Sequence, residues 1–197
     1  MVDNFMQIRA LLNFESDDDY YFVQILMRAK DHPGLGSNNR LIKTYVIKSL
    51  EHFDHVKDEI KTICDTFKAR AYIHLTKRSF HKVSLIMLKE LASRIASEQY
   101  IDIHRFFNTA SGLYYSKHDK TWIIDIDTEE DKSKIYDIIN YVNKECSPDG
   151  DKFITLIKTI HGVHIITTPF NVDQFKMRYP CLDVHKNNPT NLYTPCL

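Results

Sequence analysis

Two aspartates stand two residues apart in an apolar, β-branched run over residues 121–127, at Asp125 and Asp127. Alternate side chains of a β-strand point to the same face, so a strand here would direct both carboxylates to one side. Paired carboxylates are typical ligands of hard cations such as Mg²⁺ and Mn²⁺. Taken alone, the pattern also fits an ordinary strand with one hydrated face.

Two later apolar runs carry residues that would extend such a site. His164 follows Gly162 by two residues, and Asp183 stands directly after Leu182. A third carboxylate could complete a site for two metal ions, and a neighbouring histidine could contact an anionic substrate. In this order, the residues predict phosphoryl or nucleotidyl transfer.

The order and type of these residues resemble the three motifs of the archaeo-eukaryotic primase superfamily. That family has an apolar run ending in Asp-x-Asp, then a small residue two positions before a histidine, then a hydrophobic residue followed by an aspartate. The positions that correspond here are Asp125 and Asp127, Gly162 and His164, and Leu182 and Asp183. The small residue is Gly162 rather than the more usual serine, which removes a hydroxyl but keeps space for a close backbone approach.

The surroundings of the three motifs are also similar to small members of that family. Residues 192–195 follow the third motif after a turn, as a similar segment often does in the family. Residues 69–73 with Lys77 and Arg78 look like the amino-terminal lobe of that family. The resemblance covers residues 20–197. It implies a single α+β domain with a mixed or antiparallel sheet, helices packed on one face, and a two-lobed core divided into residues 20–110 and 111–197.

The resemblance also implies a site and an activity. Asp125, Asp127 and Asp183 would hold two Mg²⁺ or Mn²⁺ ions, and His164 would contact the phosphates of an incoming nucleotide. The basic residues expected to bind the triphosphate are Arg70, Lys77 and Arg78, and those expected to contact template or substrate are Lys117 and Lys120. The implied reaction joins an NTP or dNTP to a nucleic-acid 3′-hydroxyl during DNA replication. The implied partners are a single-stranded template and a helicase or another replication protein.

Composition fits a globular protein but does not indicate a nucleic-acid binder. The 197 residues are 43% hydrophobic and carry 26 basic and 26 acidic side chains, so template binding would need a local basic patch. The four cysteines form no CxxC pair, which favours reduced thiols in a cytoplasmic protein. Richness in Ile, Lys, Asn and Tyr suggests a bacterial or phage-infected cell. We expect neither a signal peptide nor a membrane span.

Periodicity predicts strands and helices in alternation. The predicted strands are 20–27, 41–47, 70–76, 121–127, 153–159, 164–168 and, as the last strand, 182–185. The predicted helices are 50–68, 79–98, one that begins with a cap at Thr128 and ends near 147–150, and 171–179. The inner face predicted for the second helix consists of Val83, Ile86, Met87, Leu91 and Ile95.

Three other interpretations remain open. His74 and Thr76 match half of the pattern of two-histidine phosphoesterases, with His164 as the second histidine, but Thr167 is one position too far to share its face. His52 and His55 have helical spacing for a metal, although their charged surroundings favour a solvated face. The chain could also be a nucleic-acid or protein-binding module without catalysis.

Overall fold

Nine β-strands form two antiparallel sheets in the computed structural model, which describes residues 1–100, 106–113, 120–127, 131 and 133–196. The strands are β1 (Val2–Asp3), β2 (Asp19–Met27), β3 (Arg40–Ile47), β4 (Arg70–Ser79), β5 (Trp122–Ile126), β6 (Phe153–Lys158), β7 (Val163–Thr167), β8 (Val184–His185) and β9 (Thr190–Thr194). The α-helices of the same residues are α1 (Phe5–Arg9), α2 (Leu50–Phe67), α3 (Phe80–Ala96), α4 (Phe106–Leu113), α5 (Ile135–Glu145) and α6 (Val172–Arg178). The predicted α+β class with antiparallel pairing is therefore confirmed.

The five-stranded sheet has the order β1-β9-β4-β2-β3 and is covered on both faces. Val23 and Ile25 of β2 pack with α1 and α2 on one face, whereas Tyr20 and Phe22 pack with α3 and α4 on the other. Helices on one face only were predicted, and this was wrong for this sheet. The reason is that β2 carries buried side chains on both faces, so each face needs a cover.

Helix α2 shows why its sequence forms this element. Ser49 caps its first turn by accepting a hydrogen bond from the backbone N–H of His52 at 3.1 Å. Lys68 directly follows the helix and terminates it by adopting a left-handed conformation with φ of 50°. Its buried face is formed by Phe53, Val56, Ile60 and Cys64. The helix predicted over residues 50–68 is confirmed.

The four-stranded sheet has the order β6-β7-β5-β8. Its outer face, which includes Ile124 and Ile126, packs against α5 and α6. The opposite face contributes Ile123 and Ile166 to the same hydrophobic cluster as Leu192 of the five-stranded sheet. The two sheets are therefore joined through one core.

The chain after β8 differs most from the sequence-based prediction. The last predicted strand, 182–185, forms only its second half, and β9 follows it and lies between β1 and β4. Strand β9 escaped prediction because its buried residues include polar Thr190, Asn191 and Thr194, which give no apolar pattern. Elements β1, α1 and α4 were not predicted either.

Helix α3 buries less apolar surface than its periodicity predicted. Val83 is fully buried, but the side chains of Ile86 and Ile95 are exposed, so the predicted inner face was wrong at these two positions. The cap predicted at Thr128 lies outside the described residues. None of the described helices combines the length and the apolar character needed to cross a membrane.

Candidate functional site

A cavity of about 260 Å³ opens between the two sheets. The four-stranded sheet contributes Ile123, Asp125, Asp127, His164 and His185 to its lining. The five-stranded sheet contributes Tyr72 and Asn191 of β4 and β9, with Arg70 at the start of β4 and Arg28 just after β2. The loops contribute Lys30, Thr159, Ile160, His161, Asn188 and Pro189. The lining therefore combines carboxylates, histidines and basic side chains.

Strand pairing brings the three sequence motifs together. Asp125 lies on β5 directly opposite His164 of β7, and His164 Nε2 is 3.5 Å from Asp125 Oδ1. On the other side of β5, the backbone N–H of Asp125 donates to the carbonyl of Asp183 at 3.0 Å. Asp127 follows Asp125 by two residues and lines the same cavity. The motif residues are thus neighbours across three adjacent strands.

The position of Asp183 differs from that of the other two aspartates. Its residue is exposed and is not part of the cavity lining, although its charge acts on Asp125. Within the described residues, no group of three or more His, Cys, Asp or Glu side chains is arranged to hold a metal ion. The structure therefore places two of the three predicted metal ligands in one cavity and the third beside it.

Asp125 is an electrostatically unfavourable carboxylate. Burial raises its pKa, and the negative charges of Asp127 and Asp183 raise it further, against a smaller opposing effect of His185 and Lys30. Its Oδ1 atom is shielded from solvent and has no hydrogen-bond partner. A proton or a bound cation would relieve this repulsion, as is typical of functional carboxylates.

His164 is held between the two sheets in its neutral form. Its Nδ1 atom is 2.8 Å from the hydroxyl of Thr190, which begins β9. Burial lowers the pKa of His164 to about 4, the neighbouring His185 contributes in the same direction, and Asp127 opposes them. The imidazole is therefore uncharged near pH 7, so it can donate one N–H to a ligand but supplies no positive charge.

Gly162 allows the turn between β6 and β7 to pack against β5. A Cβ atom at this position would lie 1.7 Å from the carbonyl oxygen of Ile126 and 3.0 Å from the Cα of Asp127. The turn is closed by Thr159, whose hydroxyl accepts from the Gly162 N–H at 2.9 Å. The small residue before His164 is therefore required by backbone packing, and a serine would not fit in this arrangement.

The basic wall is built around two guanidinium groups, of the buried Arg70 and the half-buried Arg28. Arg28 Nη1 donates to the hydroxyl of Tyr72 at 3.0 Å, and Arg70 Nη2 pairs with Asp31. The Nε atoms of both arginines are shielded from solvent and have no hydrogen-bond partner. Lys30 is exposed and lines the cavity beside them. These side chains can offset the charge of an anionic ligand.

Arg70 was identified from the sequence, but Arg28 and Lys30 were missed. Antiparallel pairing of β2 with β4 places Leu26 opposite Arg70, so the end of β2 lies beside the start of β4. The basic run at residues 28–30, directly before a loop, was the available signal. It becomes informative only once this pairing is assumed.

The other predicted basic residues that the structure describes do not line the cavity. Lys77 forms ion pairs with Glu15 and Asp19, each at 3.2 Å, near the far end of β4. Arg78 is fully buried, and its Nε atom donates to the carbonyl of Ser111 at 2.6 Å. Lys120 is described but does not line the cavity, and Lys117 lies outside the described residues.

The histidines of the alternative interpretations are also placed. His74 is buried on β4 beside Phe22, and burial lowers its pKa to about 3. It does not line the cavity that contains His164. His52 and His55 both lie on α2, and in the described part of the chain neither belongs to a group suited to a metal.

Comparison of the chain with protein-family models, with curated proteins and with solved structures gives no significant match. A functional assignment therefore depends on the geometry and the charges of the cavity between the two sheets.

Proposed function

We propose that the protein is a metal-dependent nucleotidyltransferase with a two-lobed core of the primase-polymerase type. It would join an NTP or a dNTP to a nucleic-acid 3′-hydroxyl. One observation supports this proposal most strongly: a single cavity has paired aspartates on one wall and two arginines on the other. A nucleoside triphosphate needs both, because basic groups bind its phosphates and carboxylates hold the cations that accompany it.

The acidic wall fits a hard divalent cation. Asp125 and Asp127 offer oxygen ligands from one face of β5, and Asp125 Oδ1 has no hydrogen-bond partner that a cation would need to replace. Asp183 is the third ligand in the proposal, and its side chain would have to turn toward the cavity. When bound, Mg²⁺ or Mn²⁺ would lower the pKa of the attacking hydroxyl and stabilise the leaving pyrophosphate.

The remaining residues of the site bind and orient the nucleotide in this proposal. Arg28, Lys30 and Arg70 supply positive charge to the phosphates. His164 donates one N–H to a phosphate oxygen, and the hydroxyl of Thr190 fixes the orientation of its ring. Since the imidazole is neutral, we assign the phosphate charge to the arginines rather than to His164.

The proposed partners are a single-stranded nucleic-acid template and a helicase or another replication protein in the cytoplasm. The chain has a formal net charge of zero, so template binding is assigned to local basic side chains and to partner proteins. A two-histidine phosphoesterase receives less support because His74 does not share the cavity with His164.

Calorimetric titration with Mn²⁺ and a non-hydrolysable nucleoside triphosphate tests the proposal. We expect metal-dependent binding that the double substitution Asp125→Asn with Asp127→Asn weakens at least about 100-fold, because both cation ligands lose their charge. The matched control is the double substitution of the exposed Asp58 and Asp149 to asparagine, which changes the net charge equally and should bind like wild type.

Two results would count against nucleotidyl transfer. Absence of binding by the wild-type protein would favour a binding module without catalysis. Binding that is independent of metal and unchanged in the Asp125 and Asp127 double variant would show that these aspartates do not hold a cation for the nucleotide. If binding follows the expected pattern, primer-extension assays with a single-stranded template then distinguish polymerisation from nucleotide binding alone.

A further inference from the structure

One acidic side chain, that of Asp31, pairs with an arginine of the basic wall without itself lining the cavity. Asp31 ends the short 3₁₀ turn Ala29–Asp31 that follows β2, and its Oδ1 atom accepts a hydrogen bond from Arg70 Nη2. The two side chains are only 13% and 8% exposed. Lys30, the preceding residue, lines the cavity. The turn therefore brings a carboxylate onto an arginine that would otherwise face an anionic ligand.

The ion pair between Asp31 and Arg70 leaves one polar atom of each side chain without a hydrogen bond. Asp31 Oδ2 and Arg70 Nε are both shielded from solvent and have no hydrogen-bond partner. By contrast, the exposed Asp54 receives hydrogen bonds from Arg9 Nε on both carboxylate oxygens, at 2.8 and 3.0 Å. A buried ion pair that leaves polar atoms unpaired gains little net stability, because the desolvation of the two charges is not offset.

Arg28, on the same wall, also has a guanidinium N–H without a hydrogen-bond partner. Its Nη1 atom donates to the hydroxyl of Tyr72, but its Nε atom is shielded and has no hydrogen-bond partner. Two guanidinium groups that line the cavity thus each retain an unused N–H donor. A phosphate group has several acceptor oxygens and pairs with arginine through two parallel hydrogen bonds, which a single carboxylate oxygen does not do.

We propose that Asp31 is an internal competitor for the phosphate subsite on Arg70. Its carboxylate binds the guanidinium group that a phosphate of the nucleotide would bind from the cavity, and phosphate binding displaces it. The inference depends on the proposed function, because it assumes that the basic wall binds phosphates. It adds that Asp31 lowers the affinity of the empty cavity for anions, so that only a ligand with several phosphate contacts displaces it readily.

Calorimetric titration with pyrophosphate in the absence of metal tests this role. We expect Asp31→Asn to bind pyrophosphate at least about tenfold more tightly than wild type, because the amide competes weakly for the guanidinium. Asp54→Asn is the matched control: it also removes one negative charge from an Arg–Asp pair, but neither Arg9 nor Asp54 lines the cavity. Its affinity should equal that of wild type.

A second measurement uses the wild-type protein and does not depend on the folding of a variant. Hydrogen exchange of the backbone amides in residues 29–39 is followed with and without pyrophosphate. Displacement of Asp31 should speed exchange of amides that are now hydrogen-bonded within the turn, such as those of Asp31 and His32. Slower exchange would show that the turn closes over the anion, which overturns the proposal.

The outcomes separate this inference from the proposed function. Equal or weaker pyrophosphate binding by Asp31→Asn would overturn the competitor role and make Asp31 a positioning residue for Arg70. Metal-dependent nucleotide binding could still follow the expected pattern in that case, which leaves the proposed function supported. If neither wild type nor Asp31→Asn binds pyrophosphate, the competitor role fails, and the Mn²⁺ and nucleotide titration decides the proposed function on its own.

Discussion

The four-stranded sheet presents carboxylates to the cavity, whereas the five-stranded sheet presents guanidinium groups. The two walls are also supported differently. Asp125 is fixed by backbone hydrogen bonds and strand pairing on both sides of β5. Arg28 and Arg70 reach the cavity through long side chains, and Arg70 is paired with Asp31 of the short turn after β2. Substitutions that displace the backbone should therefore disrupt the position of the carboxylates. Substitutions of single side chains should change the anion affinity of the basic wall.

The largest effect is expected at the backbone of the acidic wall. Gly162→Ala should reduce the free energy of unfolding by about 4 kcal/mol, because its Cβ would overlap the carbonyl of Ile126 and force β5 and β7 apart. Chemical denaturation measures the change. Gly34→Ala is the control, since a Cβ there meets no atom within 4 Å. Similar losses in both variants would contradict the close packing at Gly162.

A loss of folding stability of intermediate size is expected when the pH is lowered. His164 in the four-stranded sheet has a pKa of about 4 and His74 in the five-stranded sheet one of about 3, whereas both should titrate near 6.5 in the unfolded chain. The unfolded state then binds more protons between these values. Stability is therefore fully present above pH 6.5 and declines as the pH falls toward 4, by about 2.5 kcal/mol per histidine at pH 4.5.

Urea denaturation at pH 7 and pH 4.5 measures how much the free energy of unfolding depends on each of these two histidines, one in each sheet. His164→Gln and His74→Gln should each flatten the dependence of stability on pH, because glutamine cannot be protonated. A control variant at the exposed His55 should keep the wild-type slope. If both buried-site variants retain that slope, other groups cause the acid sensitivity.

The two walls also differed in how far the sequence predicted them. Asp125, Asp127 and His164 stand in local patterns, and strand pairing preserves those patterns in space. Arg28 could not be assigned in the same way, because its place in the cavity depends on the pairing of β2 with β4. Lys77 and Arg78 looked equivalent to Arg70 in the sequence, but they lie at the opposite end of the same strand.

Burial explains the remaining differences in the fold. The predicted strands and helices whose apolar residues repeat regularly, such as β2 and α2, are close to their observed limits. Strand β9 was missed because polar side chains are buried there through hydrogen bonds, as when the hydroxyl of Thr194 donates to Asn191 Oδ1 at 2.9 Å. Periodicity reports apolar burial only, so it carries no signal for such a strand.

The smallest effect is expected from removing a single charge of the acidic wall. Asp125→Asn should raise the free energy of unfolding by about 1 kcal/mol at neutral pH in the presence of EDTA, because the raised pKa means that the ionised form is disfavoured in the folded state. Thermal denaturation measures the gain. Asp58→Asn, on the exposed face of α2, should leave stability unchanged. A loss of stability in Asp125→Asn would show that the carboxylate is favourable without a cation.

The position of β9 has a consequence for the order of folding. Strands β2, β3 and β4 with helix α2 are close in sequence and can assemble through local contacts, but β9 pairs with β4 across the long sequence interval 80–189. Contacts of such long sequence separation form slowly. Because Thr190 contacts His164 and Asn191 lines the cavity, the candidate site should form in the last step of folding. Pulse-labelled hydrogen exchange should find β9 protected after β2 and β4, and simultaneous protection would contradict this order.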